Sequence, residues 1–117
     1  MLNHRLRTRF PAALLLACAF IVGFWTLAGF AAAQYVVSQK GREFNPRELS
    51  IKRGETITIV NDDADLQHHA YIDADNFKFD SGDQEPGSKT NIAFTVAGSF
   101  DVLCAIHPKM LLVVHVQ

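Results

Sequence analysis

Cys104-Ala105-Ile106-His107-Pro108-Lys109-Met110, followed at once by Leu111-Leu112-Val113-Val114-His115-Val116, is the stretch on which the reading of this chain turns. It places a thiol, an imidazole and a thioether at intervals of three residues. Alone, each of these side chains is ordinary core filler. Together they are metal donors: soft sulfur selects Cu(I), and Cys with His and a weakly held Met is the inventory of an electron-transfer copper site. Such a site takes a second imidazole, and Gln67-His68-His69-Ala70 offers two candidates upstream. A Cys/His₂ set also suits Zn²⁺, so the donors alone leave a zinc or metal-free structural role open. Before the motif, Phe100, Val102 and Cys104 fall on alternate positions, and after it comes an apolar run. The seven residues therefore read as a loop between two β-strands.

Working outward, the same signal recurs. Tyr35-Val36-Val37-Ser38 reads as a first strand, closed by Lys40-Gly41, and Phe44-Asn45-Pro46 as a bend. Leu49 and Ile51 alternate with polar neighbours up to Arg53-Gly54. Thr56-Ile57-Thr58-Ile59-Val60 is β-branched throughout and reads as a strand with both faces covered or nearly so. His68 to Ile72 is the next strand; period two sets His68, Ala70 and Ile72 on one face and His69 and Tyr71 on the other. Asp73 to Ser88 is a long polar connection with a short strand at Phe77-Lys78-Phe79, and Ile92, Phe94 and Val96 alternate beyond it. Seven to eight short strands punctuated by Gly and Pro, with no helical period, argue an all-β sandwich in one domain, residues 34–117.

Residues 1–33 are of another kind. His4, Arg5, Arg7 and Arg9 precede an almost wholly apolar Pro11 to Ala33, which ends in Ala31-Ala32-Ala33 ahead of Gln34. This is the pattern of a secretory signal helix cleaved after Ala33. Its length also suits an uncleaved membrane anchor, so membrane contact is expected only if the leader is kept. The absence of paired arginines points to general rather than twin-arginine export, hence to a periplasmic protein. Cleavage takes Lys plus Arg from 11 to 8 and leaves all 12 acidic residues, moving the net charge from −1 to −4. An acidic domain without a basic patch is a poor nucleic-acid binder. Asp62, Asp63, Asp65, Asp73, Asp75, Asp80 and Asp83 read as solvated loop charge. Cys18 leaves with the leader, so Cys104 stands alone in an exported domain and makes no internal disulfide. It is free, intermolecularly bonded or a metal ligand, and because a free thiol is a liability in an oxidising compartment, ligation is favoured.

The domain resembles the cupredoxin (blue-copper) family, and its ligand loop is most similar in spacing to amicyanin- and plastocyanin-like members. Phe44-Asn45-Pro46 with Leu49-Ser50-Ile51-Lys52-Arg53-Gly54-Glu55-Thr56 is similar to the family's opening. Val60-Asn61-Asp62-Asp63 resembles the stretch before the first ligand, and Phe94 to Phe100 the turn before the ligand Cys. The resemblance implies a Greek-key β-sandwich holding one type 1 copper ion, with Cys104 the thiolate ligand, His107 an imidazole ligand and Met110 the weak axial ligand. The first imidazole is His68 if the family's His-Asn pair aligns with His68-His69, an assignment the strand alternation favours over His69. His69 in the Asn position departs from the family. His115 reads as a surface residue.

The implied function is the shuttling of single electrons between redox partners such as a cytochrome c or a periplasmic dehydrogenase or oxidase, by a monomer. The competing reading is a non-redox periplasmic copper carrier. An enzyme is not expected, since no nucleophile–base pair, carboxylate pair or second metal cluster is apparent.

Overall fold

The alternation seen in the sequence becomes a two-layer sandwich in a computed structural model that describes residues 34–117. The leader-like segment, residues 1–33, lies outside the described residues. Nine strands form: β1 Tyr35–Lys40, β2 Glu43–Asn45, β3 Glu48–Ile51, β4 Thr56–Asn61, β5 Ala70–Ala74, β6 Phe77–Asp80, β7 Lys89–Ala93, β8 Gly98–Cys104 and β9 Leu111–Val116. One sheet runs β2-β1-β4-β7 and the other β3-β9-β8-β5-β6. The β1/β4 and β3/β9 pairs are parallel and the remaining pairs antiparallel. The Asn45–Pro46 peptide, between the sheets, is cis.

Every second residue faces inward. Val37 on β1, Ile57 and Ile59 on β4, Ile72 on β5, Phe100 and Val102 on β8 and Leu112 and Val114 on β9 are all buried. Burying one such side chain contributes about 1.5–3 kcal/mol, so the period-two pattern fixes which face of each strand turns in. Phe94 lies just past the end of β7 and is fully buried against Phe77 and Phe100, their ring centroids 5.3 and 6.1 Å from its own. It closes the core at the end away from the ligand loop.

Three local expectations are refined. The Phe44 bend contains a three-residue strand, β2, because β1 and β2 form a tight hairpin pairing Lys40 with Glu43. The outer face of β4 is half-buried at Thr58 and Val60, not covered. The strand expected from His68 begins at Ala70; His68 instead makes an isolated bridge with Gln84, donating its N–H to that carbonyl at 3.0 Å and accepting at 2.7 Å. The long connection after β6 thus doubles back to hold His68.

Candidate metal centre

The site is built where β8 ends. In the β5–β8 pairing Ala70 stands opposite Cys104, and the next amide of the ladder, Ala105 N–H, donates to the His69 carbonyl at 2.9 Å. This register carries His68, two residues before Ala70, to the level of the Cys104 side chain. Beyond Cys104 the loop closes on itself, with Met110 N–H donating to the His107 carbonyl at 3.0 Å. That turn keeps Met110 in the core, 1% exposed, and leaves His107 half-buried at the surface.

Three donors converge. The Cys104 sulfur lies 3.9 Å from His68 Nδ1 and 3.7 Å from His107 Nδ1, and the two Nδ1 atoms are 3.2 Å apart. A triangle with those sides has a centre about 2.1 Å from each corner, within the ~2.0–2.3 Å at which imidazole and thiolate bind a metal ion such as zinc. Two imidazole lone pairs at this distance repel unless a cation lies between them. Among the described residues this is the one group of His, Cys, Asp or Glu side chains with metal-binding geometry.

The tautomer of His68 follows from its neighbour. His68 Nε2 lies 2.7 Å from Asp63 Oδ2. An ionised carboxylate only accepts, so Nε2 carries the hydrogen and Nδ1 presents its lone pair to the site. Burial works against the charge on Asp63, but the Gly41 amide and the His68 imidazole outweigh it and hold the carboxyl below its ordinary pKa. At His107, burial lowers the imidazole's pKa, as do the neighbouring His68 and Arg42. His107 is therefore held toward the neutral, ligating form.

His69 is elsewhere. Its Nε2 lies 2.6 Å from Asp80 and its Nδ1 3.2 Å from Asp83, on the outer side of β5. Burial lowers its pKa, but the hydrogen bonds and charges of the two carboxylates prevail and raise it. The two ligand stretches are linked through the His69 backbone carbonyl, which accepts from the Ala105 amide. His115 bridges Glu48 and Ser99 across the outer face of the second sheet. The Met110 thioether adds a buried soft donor in the same loop.

Asp63 departs from its reading as solvated loop charge: its side chain is 10% exposed and tied to His68. Beneath the site, Gln84 ties the parts together. Its Oε1 accepts from Gln39 Nε2 at 2.8 Å and from the Ala70 amide at 3.0 Å, while Asn61 Nδ2 donates to its backbone carbonyl at 2.9 Å. The Asp63–His68 spacing was visible in the sequence, but it carries no meaning until the loop brings the two side chains face to face.

A cysteine sulfur and two imidazole nitrogens converging on a β-sandwich define a single-metal, soft-donor centre of the blue-copper electron-transfer kind. Residues 31–117 match the family described as copper binding proteins, plastocyanin/azurin family, and the chain belongs to it. Its cofactor is one type 1 copper ion. Among solved structures, the chain is similar to the reduced Cu(I) form at pH 4 of a proline-to-glycine variant of amicyanin, with 26% identity and a TM-score of 0.66 over 77% of this chain and 88% of that one. A reduced tryptophan-to-tyrosine variant of amicyanin gives 27% identity and the same TM-score and coverage. A copper-containing nitrite reductase from Thermus scotoductus SA-01 is 28% identical with a TM-score of 0.66 over 73% of this chain, which spans only 22% of that enzyme's length. No curated protein sequence matches the chain.

Proposed function

We propose that this chain is a small exported electron carrier, a monomer working in the periplasm after removal of residues 1–33. It passes single electrons between redox proteins, such as a c-type cytochrome and a periplasmic dehydrogenase or oxidase. The observation that carries this reading is the convergence of Cys104, His68 and His107 on one point, with His68 locked by Asp63. Export is supported by the basic start, the apolar run and Ala31-Ala32-Ala33 ahead of Gln34, and by the single cysteine of residues 34–117.

When bound, copper supplies a one-electron Cu(II)/Cu(I) couple. Cys104 would supply the anionic donor that holds this ion, His68 and His107 the two imidazole donors, and Met110 a weak thioether donor. The chain holds these donors in place through the β5–β8 ladder, the Asp63 carboxylate and the Met110–His107 turn. Donors fixed this way move little when the charge of the site changes, which keeps electron exchange fast. His107, half-buried beside the exposed Ile106 and Pro108, is the route out.

Voltammetry of the copper-loaded protein tests the reading. A reversible one-electron couple is expected, and Met110→Leu should keep the copper and raise the potential, since only a weak ligand is removed. Absence of a reversible couple contradicts the carrier function. Loss of copper from Met110→Leu contradicts the weak-donor role.

A further inference from the structure

Next to His107 lies an open cleft of about 960 Å³, walled by the ligand loop on one side and the β1–β2 hairpin on the other. Its floor is apolar. Ile106 and Leu111, 43% and 41% exposed, are two of the three large hydrophobic side chains that the described residues leave exposed, and both line it. Arg42 and Lys109 stand in its walls.

Arg42 is the informative residue. The hairpin turn is made by Gly41 and Arg42, with φ of 61° and 64°. A tight hairpin of this kind favours Gly, Asn or Asp at both central positions. Arginine is a poor choice there, and Arg42 is the only non-glycine residue with positive φ among the described residues. A side chain carried in a disfavoured backbone conformation calls for an account in what it reaches. What it reaches is the cleft, which Arg42 lines together with His107. The turn is pinned there, since Gly41 N–H donates to Asp63 Oδ1 at 3.0 Å while the other oxygen of that carboxylate holds His68.

The charges around the cleft are unequal. Arg47 pairs with Glu43, and Glu48 with His115. Among the described residues Arg42 and Lys109 take part in no ion pair. They form a positive rim on a domain whose residues 34–117 carry 8 basic and 12 acidic side chains. Two unpaired cations flanking an apolar floor complement a surface with an apolar centre and carboxylates around it.

We infer that this cleft docks the acidic face of a redox protein partner, with Arg42 and Lys109 pairing its carboxylates while Ile106 and Leu111 meet its apolar centre beside His107. The inference rests on the electron-carrier reading and adds to it the charge of the partner.

The test compares rate with ionic strength. The reduced, copper-loaded protein is oxidised by hexacyanoferrate(III), each Cu(I) giving one electron to one iron(III). A net charge of −4 by itself predicts a rate that rises as salt screens repulsion. The positive rim predicts the opposite, a rate falling roughly 3- to 10-fold between about 10 and 200 mM ionic strength. Arg42→Asn with Lys109→Gln should abolish or reverse that fall; Asn suits the turn, so charge is removed without adding strain. Lys52→Gln, in the β3–β4 turn, should leave it unchanged. With a c-type cytochrome as protein probe, the form succinylated on its lysines should show the same salt-dependent fall, which the double variant loses. A wild-type rate that rises with salt, or a double variant that keeps the fall, overturns the proposal. So does Arg42-dependent binding to phosphatidylglycerol vesicles without any preference for the succinylated cytochrome, which would make the occupant a membrane. Failure of both hexacyanoferrate(III) and cationic tris(phenanthroline)cobalt(III) to oxidise the loaded protein would instead remove the carrier reading.

Discussion

His68 and His107 reach the same point from opposite environments. His68 is fully buried, its backbone paired with Gln84 on both N–H and C=O and its ring fixed by Asp63. His107 is half-buried in a loop with exposed Ala105, Ile106, Pro108 and Lys109 around it. The difference divides the labour of the site. One imidazole belongs to the scaffold, while the other is the part that a partner can approach.

Replacing each histidine by glycine sharpens this contrast and carries the largest expected effect. Both variants should lose the wild-type copper spectrum. Added imidazole at millimolar concentration should restore colour to His107→Gly, whose gap opens to solvent, and restore much less to His68→Gly. Equal rescue at both positions would break the comparison.

A smaller effect is expected at Asp63. Asp63→Asn keeps the shape but offers His68 an amide in place of an acceptor-only carboxylate, and the tautomer is no longer enforced. Copper affinity should fall about 10- to 100-fold, measured by competition with a chelator. Since the folded-state pKa of Asp63 is lowered, the stability it contributes is present above the unfolded carboxylate value of about 3.9. That stability is lost as pH falls through the lower folded value. Asp63→Asn should therefore flatten the acid limb of the thermal stability profile. An unchanged affinity would show that the carboxylate does not orient the ligand.

The smallest effect concerns His69. Its folded-state pKa is raised, so the stability from Asp80 and Asp83 is fully present below the unfolded value of about 6.5 and lost as pH rises through the folded value. His69→Asn should leave the copper spectrum unchanged and reduce the loss of melting temperature as pH rises above about 6.5. A bleached site in this variant would mean that His69, not His68, is the ligand.

Legibility in the sequence followed the range of the physics involved. Strands were readable because burial alternates with period two, and that counting separated His68 from its neighbour. The Cys104–Met110 loop was readable because its donors lie within seven residues. Asp63 was not, because a carboxylate in a polar loop looks alike whether it meets water or an imidazole. Nor was the true start of β5, since the Gln84 bridge to His68 depends on how a sixteen-residue connection folds back. Arg42 was hidden for a related reason: only the backbone angle shows that its place in the hairpin is disfavoured.

The effects on copper all depend on its being bound in one compact site by the Cys104 thiolate and two imidazoles. Electronic absorption after addition of Cu(II) tests it most directly. An intense visible thiolate-to-copper charge-transfer band is expected in the wild-type protein, at one copper per chain, with its complete loss in Cys104→Ser. A colourless copper-loaded protein, or a band that survives in Cys104→Ser, would contradict it.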